Sequence, residues 1–188
     1  MFTINIFQFN SIKVDHSQNK EMALLQKLKD VPFNDVKLIL QDGELEANKL
    51  TLSLHSEYFE AIFKDNFSEG HVQIDCKKYL MEKIIDYLFS GHIDLDNFSL
   101  DELVDLINIS QVMKLKLLYK SALDYTFDSV QNTKVDEKIQ ALAKAENYNL
   151  VKLINFIVKE LHTNVDEARS SADFALLSPS LIEILFTL

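Results

Sequence analysis

The pattern of apolar residues changes near Ser99, and this change restricts the fold more than any other feature of the sequence. Before Ser99, apolar and polar residues alternate over short stretches such as "VQIDC", a spacing typical of β-strands. After Ser99, apolar residues recur only at helical spacing. A part that mixes strands with helices, followed by helices alone, predicts the α+β fold class with antiparallel helical hairpins at the C-terminal end.

The segment "DVKLILQDGELEAN" predicts a β-hairpin. Its two short strands join at Asp42-Gly43, a dipeptide that tolerates the positive φ angles of a tight turn. The same reasoning places further elements as far as residue 96: short helices at about 49–55 and 56–65, a strand in "VQIDC", a helix from about Lys77 that stops at Gly91, and a strand in "HIDLD".

The helical part begins with "SLDE", in which Ser99 can cap a helix and Glu102 can complete a capping box. The last helix is predicted to start with Pro179, directly after the cap Ser178. No linker rich in Pro, Gly or Ser interrupts the chain, so the composition shift near residue 130 is the only candidate boundary. We therefore expect a mixed domain at 1–130 and a helical segment at 131–188. Between the first and last helices, others are expected near 115–130, 134–147 and 150–162.

The N-terminal part predicts a strand and a helix with unusually apolar faces. The strand "FTINIF" contains Ile4 and Ile6, and the helix "NKEMALLQKLKD" carries Met22, Leu25 and Leu28 at helical spacing. These side chains either pack within the chain or form the interface of a homodimer. We expect the homodimer, because the two faces look too apolar for solvent.

Composition restricts the partners and the compartment. A formal net charge of −10, with no basic run longer than Lys77-Lys78, argues against nucleic-acid binding, so proteins are the expected partners. No apolar run approaches the roughly 20 residues of a bilayer span, and the N-terminus lacks the pattern of a signal peptide. The single cysteine fits a reducing compartment. These features predict a cytoplasmic protein with no membrane contact.

The sequence contains no recognisable catalytic constellation. Its five histidines are widely separated, and its three glycines cannot form a phosphate-binding loop. Cys76 closes an apolar strand, where a buried structural thiol is the favoured interpretation over a nucleophile. We expect no enzyme, no cofactor and no metal site, and loss of an activity on changing Cys76 would argue otherwise.

The stretch "HSEYFEAIFKDNFSE" contains the strongest candidate for a binding residue. Phe59, Ile62 and Phe63 lie on one face of a short helix, which should be core. Phe67 follows where the helical pattern has stopped, between Asn66 and Gly70. Its ring either folds back over the end of the helix or stays exposed as an interface residue.

Several motifs in order resemble the BTB/POZ domain over roughly residues 16–125. They are "FNDVKLILQDGELEANKLTLSLHSEYFEAIFKDNFSE", "VQIDC", "IIDYLFSGHIDLD" and "LDELVDLINISQVMKL". The segments "VDEKIQALAKAENYNLVKLINFIVKEL" and "FALLSPSLIEIL" are similar to the first helices of the BACK domain, whose start is the 3-box, in Kelch-like proteins. The sequence is also rich in Ile and Asn, as expected from an A/T-rich genome, and this suggests a poxviral member of the BTB-Kelch group. Such a protein would be in the host cytoplasm. Asn48 departs from the family, which usually has histidine in its A-H-K turn, and a turn or cap tolerates Asn well.

The resemblance implies a function for Phe67. BTB proteins that recruit cullin-3 ubiquitin ligases carry a hydrophobic-x-Glu motif after this helix, and Phe67-Ser68-Glu69 matches it. It also implies that the helix with Met22, Leu25 and Leu28 forms the dimer interface. The implied protein is a non-catalytic adaptor that binds the N-terminal domain of cullin-3 and presents an unknown substrate through a further C-terminal region. The residues expected at the cullin surface are Asn66, Phe67, Ser68 and Glu69, with Ala61 and Lys64 alongside.

Two other functions fit the same resemblance. A BTB oligomerisation module would array some other domain without meeting a cullin. A corepressor-recruiting BTB domain would use the region of the A-H-K turn, where this sequence has Asn48 in place of histidine. A zinc-finger array usually follows such domains, and the given sequence shows none.

Overall fold

This computed structural model of the protein describes residues 34–65 and 70–187. The described residues fall in two compact units, one formed by 34–52 and 70–94 and the other by 53–65 and 95–187. The predicted strand "FTINIF" and the predicted helix "NKEMALLQKLKD" lie outside the described residues.

The first unit contains the predicted hairpin. Strand β1 (Val36–Leu40) pairs antiparallel with β2 (Gly43–Ala47), in a register that runs from Val36 opposite Ala47 to Leu40 opposite Gly43. The two turn residues are therefore Gln41 and Asp42, one position earlier than predicted, and the positive φ of 158° is at Gly43. Asp42 contributes differently from expectation, because its carboxylate accepts a hydrogen bond of 2.6 Å from the backbone N–H of Lys78.

The sheet is completed by a parallel strand. Strand β3 (His71–Gln73) pairs with β1, which gives the order β2-β1-β3. The predicted strand "VQIDC" is thus right in place but shorter, although the N–H of Ile74 still donates to the carbonyl of Ile39 at 2.9 Å. Helix α3 (Lys78–Ser90) follows and ends as predicted at Gly91, whose φ is 69°.

The predicted strand in "HIDLD" is wrong. Residues 92–95 form no regular element, although their exposure alternates as in a strand. Alternation alone does not make a strand, because a strand needs a hydrogen-bonded neighbour, and the described sheet has only β1, β2 and β3.

Two short helices lie between the hairpin and β3, at the positions that the sequence predicts: α1 (Lys49–His55) and α2 (Glu57–Asp65). Asn48, the departure from the A-H-K turn, begins α1: its Oδ1 accepts a hydrogen bond of 3.0 Å from the N–H of Thr51. This bond is the usual one for a helix cap, so Asn at this position supports the helix.

The second unit is helical. The capping box at Ser99 and Glu102 is confirmed, since both of its hydrogen bonds are present. Ser178 also caps the last helix, where its Oγ accepts from the N–H of Leu181 at 3.3 Å. The sequence did not predict α8 or the 3-10 helix. The elements are α4 (Leu100–Val112), α5 (Lys116–Gln131), α6 (Val135–Asn147), α7 (Val151–His162), α8 (Val165–Ser170), the 3-10 helix (Ala172–Leu176) and α9 (Pro179–Thr187).

The helix pair α4–α5 is repeated by α6–α7 at an offset of 35 residues. Helices α4 and α6 have 13 residues each and begin at 100 and 135, and α5 and α7 begin at 116 and 151. The connecting turns have the same backbone, with a positive φ of 56° at Lys114 and 54° at Asn149. The next residue in each turn donates its N–H five residues back at 2.9 Å, from Leu115 to Ser110 and from Leu150 to Ala145.

Burial follows the same repeat. The buried, half-buried and exposed classes agree at every position between 115–126 and 150–161. The paired core positions include Leu118 and Leu153, both 0% exposed, and Ala122 and Ile157, also 0% exposed. The two helix pairs therefore use one pattern of apolar residues to build the core of the second unit.

We predict that Lys114→Asn raises the free energy of unfolding by about 1 kcal/mol, because left-handed backbone is costly for lysine and better tolerated by asparagine. The lost 3.6 Å contact between Lys114 and Glu57 is exposed and should matter little. Chemical denaturation measures the change. The reciprocal change Asn149→Lys should lower stability by a similar amount, and equal stability of both variants and the parent would contradict the prediction.

Candidate functional site

Helix α2 has a buried face and an exposed face, as its sequence predicts. Phe59 is 0% exposed and Phe63 is 4% exposed, and their rings stack with centroids 5.7 Å apart. Ile62 is half-buried, whereas Ala61 and Lys64 are exposed. The helix is thus held by its phenylalanines, and the two residues that we expected beside a partner are on its accessible side.

The start of α2 is fixed to the turn between α4 and α5. The hydroxyl of Ser56 donates a hydrogen bond of 2.7 Å to the carbonyl of Met113, and it accepts one of 3.3 Å from the N–H of Phe59. Ser56 and Met113 are both buried. Because a buried polar group costs free energy when it lacks a partner, this bond fixes where α2 begins.

A shared carboxylate makes a second link at the same place. The Glu57 carboxylate lies 3.4 Å from Lys116 Nζ and 3.6 Å from Lys114 Nζ. The hydrogen bond and charge of Lys116, with the charge of Lys114, lower the pKa of Glu57. All three side chains are exposed, so the link orients charges on the surface and adds little stability.

The lowered pKa of Glu57 predicts a pH dependence. A carboxylate with a lowered pKa stabilises the fold above its unfolded pKa, and this contribution is lost as pH falls through the folded pKa. We therefore expect Glu57→Gln to melt slightly below the parent at neutral pH, with the difference vanishing in acid. Thermal melting across pH measures this. Glu60→Gln, in the same helical turn, is the control for the helix dipole, and an equal effect in both variants would contradict the role of the lysines.

The central residues of the predicted cullin surface, Asn66, Phe67, Ser68 and Glu69, lie outside the described residues. The same holds for the predicted dimer residues, and their roles stay predictions. The dimer residues are Ile4, Ile6, Met22, Leu25 and Leu28.

Sequence reasoning missed several exposed apolar side chains. On the turn between α4 and α5, Val112 is 47% exposed and Leu117 is 66% exposed. Leu50 and Leu54, four residues apart on α1, are also exposed. Leu117 could have been found from the sequence, since it is out of phase with the buried residues Leu115, Leu118 and Ala122.

The remaining candidates for chemistry are dispersed. Cys76 is buried, and its Sγ lies 3.3 Å from the carbonyl of Lys77. Burial also lowers the pKa of His55. Within 34–65 and 70–187, no group of three or more His, Cys, Asp or Glu could hold a metal ion. Among these same residues, none of the helices has the length and apolar character needed to cross a bilayer.

The family of the chain follows from comparison with known proteins. The model of the BTB/POZ domain family matches residues 25–127, which is more than half of the chain. The match covers the sheet, helices α1 to α4 and most of α5, and the chain belongs to the BTB/POZ domain family.

Individual relatives agree with this assignment. The mouse protein named Kelch repeat and BTB domain-containing protein 4 is 23% identical over 159 residues, covering 82% of this chain and 29% of that protein. Kelch repeat protein M-T9 of Myxoma virus (strain Lausanne) is 28% identical over 97 residues, covering 51% of this chain and 19% of that protein. This chain therefore spans less than a third of the length of either relative.

A solved structure shows the same fold. The BTB domain of human Gigaxonin superposes with a TM-score of 0.51 and 25% sequence identity, covering 62% of this chain and 98% of that chain. The α+β fold class and the resemblance to the BTB/POZ domain are thereby confirmed.

Proposed function

We propose that this protein is a non-catalytic substrate adaptor of a cullin-3 ubiquitin ligase. In this role, Phe67-Ser68-Glu69 contacts the N-terminal domain of the cullin, and the helices after residue 130 add a second contact as a 3-box. The ubiquitin chemistry belongs to the other subunits, and the adaptor supplies proximity by holding its target at high effective concentration.

The observation that carries the proposal is the orientation of α2. With Phe59 and Phe63 in the core, the accessible side of the helix presents Ala61 and Lys64, and the chain then continues directly into the matching motif. The hydrophobic-x-Glu motif follows a helix that is held in place by its buried phenylalanines. This arrangement fits a partner that contacts both the exposed side of α2 and the residues after it. Membership of the BTB/POZ family and similarity to Kelch-repeat proteins support the same role.

A charged network supports the joint use of the BTB part and the helical segment. Lys144 on α6 lies 2.7 Å from Asp101 Oδ1 and 2.8 Å from Asp105 Oδ2, both on α4. The hydroxyl of Tyr148 also donates to Asp105 at 2.8 Å. Because Lys144 and Asp105 are largely buried, these contacts hold α6 against α4 and would offer a partner both surfaces in a fixed arrangement.

Truncation of Phe67 tests the proposal directly. We expect Phe67→Ala to weaken binding to the N-terminal domain of cullin-3 by about 2 kcal/mol, roughly thirtyfold, as for a buried aromatic hot spot. Calorimetric titration measures the affinity, and a parallel thermal melt should be nearly unchanged. A large loss of stability would instead make Phe67 a core residue.

Matched variants make this result interpretable. Glu69→Ala should weaken binding less than Phe67→Ala, because the carboxylate contributes orientation more than affinity. Phe59→Ala and Phe63→Ala should lower stability by about 3 to 5 kcal/mol, because both rings are buried. If Phe67→Ala changed neither affinity nor melting, the cullin role would be wrong and the oligomerisation module would take its place.

We also propose a homodimer, with the helix around Met22, Leu25 and Leu28 at the interface. The exposed residues Leu50 and Leu54 on α1 support it, since an interface would cover them.

Light scattering tests the dimer. We expect twice the chain mass of 21.7 kDa at micromolar concentration for the parent, and a monomer for Leu25→Asp, because a charge in an apolar interface opposes association. A parent that scatters as a monomer would contradict the dimer. Lys27→Asp, on the same predicted helix but outside its apolar face, is the control and should remain dimeric.

A further inference from the structure

Strand β2 is an edge of the described sheet. In the order β2-β1-β3, the one strand beside β2 in the described part of the chain is β1. The N–H of Lys37 in β1 donates to the carbonyl of Gly70 at 2.9 Å. The carbonyl of Ile39 accepts from the N–H of Ile74 at 2.9 Å. Lys37 and Ile39 thus direct their backbone groups toward β3, and the alternate residues of β1 direct theirs toward β2.

The register of the hairpin decides which backbone groups of β2 face outward. Leu38 lies opposite Leu45, and these two residues direct their N–H and carbonyl groups toward each other. The neighbours of Leu45 in β2, Glu44 and Glu46, therefore direct theirs away from the sheet. Both N–H groups and both carbonyls of these glutamates can pair with a strand that adds beside β2.

Both ends of β2 are held by side-chain hydrogen bonds. Before the strand, the Asp42 carboxylate accepts from the N–H of Lys78 at 2.6 Å. After it, the Asp35 carboxylate accepts from the N–H of Lys49 at 2.7 Å. An added strand would thus meet backbone that is already in place, which lowers the entropic cost of binding.

The side chains along this edge are acidic on one face and apolar on the other. Glu44 and Glu46 are exposed and, as alternate residues of a strand, lie on the same face. Leu45 lies on the opposite face and is half-buried. Lys37, whose Nζ is 2.8 Å from the Glu44 carboxylate, is the only basic residue of β1 and β2. One ammonium group therefore compensates two carboxylates.

These charges select the kind of strand that can bind. Two β2 strands placed edge to edge would bring glutamate beside glutamate, and like charges on neighbouring strands are destabilising. A strand with Lys or Arg at alternate positions would instead place its cations beside Glu44 and Glu46. The residue between those cations would lie beside Leu45, where an apolar side chain fits.

We propose that β2 binds an extended segment of another protein, in which basic residues alternate with apolar ones, as a further strand of the sheet. The outward backbone groups of Glu44 and Glu46 supply the hydrogen bonds, and their carboxylates supply the selectivity for a basic segment. This surface lies within the first unit. It depends neither on Phe67-Ser68-Glu69 nor on the proposed dimer.

Fluorescence anisotropy of the intact chain tests this with a labelled peptide in which lysine alternates with valine. We expect this peptide to bind and a peptide that alternates glutamate with valine not to bind. A third peptide has the lysines grouped at one end and should bind more weakly, because its cations cannot alternate along the edge. Failure of the alternating lysine peptide to bind, or equal binding of the grouped peptide, would overturn the proposal.

Methylation of the peptide backbone tests whether the peptide binds as a strand. Alternate residues of a strand donate their N–H groups on opposite sides, so methylation of one alternate set blocks one side only. Methylation of the set that faces β2 should weaken binding about tenfold or more, and methylation of the other set should have little effect. An equal effect of both sets would contradict addition of a strand.

Variants of β2 locate the binding edge. Glu46→Pro removes an N–H that points away from β1, and proline is tolerated at such edge positions. We expect it to weaken peptide binding about tenfold and to leave thermal melting nearly unchanged. Glu46→Gln keeps the N–H and loses the charge, so it should weaken binding less, and it remains informative if Glu46→Pro disturbs folding.

Glu82→Gln, at an exposed position of α3 in the same unit, is the matched control for loss of a negative charge and should bind as the parent does. Unchanged binding in both Glu46 variants, or an equal loss in Glu82→Gln, would show that β2 is not the site.

Two further measurements separate this proposal from other occupants and from the proposed function. An unlabelled peptide with the sequence "FTINIF", taken from this chain, should not displace the lysine peptide, because it carries no positive side chain. If it did displace the lysine peptide, β2 would receive a strand of this protein, and the proposal of a basic partner would be wrong. Phe67→Ala should leave peptide binding unchanged, so either proposal can fail while the other stands.

Discussion

The burial of Phe59 and Phe63 is the constraint on which the candidate site depends. Their rings stack in the core, and the bond from Ser56 to the carbonyl of Met113 fixes where their helix begins. Since an α-helix has one rotational setting once its buried residues are fixed, the same packing decides that Ala61 and Lys64 face outward. The exposed face of α2, which we propose as part of a binding surface, is therefore a consequence of core packing.

The two helix pairs separate what the fold needs from what it does not. Both pairs use the same turn geometry and the same sequence of buried positions, so these features are structural requirements. At the exposed positions the pairs differ, with lysine and leucine in the first and mostly asparagine in the second. Comparison of the two pairs thus separates the residues that the fold requires from the exposed residues that it does not require.

The proposed adaptor catalyses no reaction itself. Its action would therefore depend on how its binding surfaces are placed relative to one another. Lys144 contributes to this, because it joins two carboxylates of α4 from the first helix after residue 130. Charged groups that are partly buried make stronger contacts than fully exposed ones, provided that each finds its partner. The helical segment and α4 can then be presented together, which fits a protein whose task is proximity.

The sequence alone determined the elements whose causes are local. Helical spacing placed α5, α6 and α7 within a few residues, the pair Ser99 and Glu102 predicted its capping box, and Gly91 marked the end of α3. The family motifs likewise predicted the α+β fold. Tertiary structure decided what depends on distant neighbours. The segment "HIDLD" alternates like a strand but has no described strand to pair with, and the buried hydroxyl of Ser56 finds its partner in the carbonyl of Met113, far along the chain. The physical reason is range, since caps and periodicity act within a few residues, whereas pairing and burial require partners that are remote in sequence.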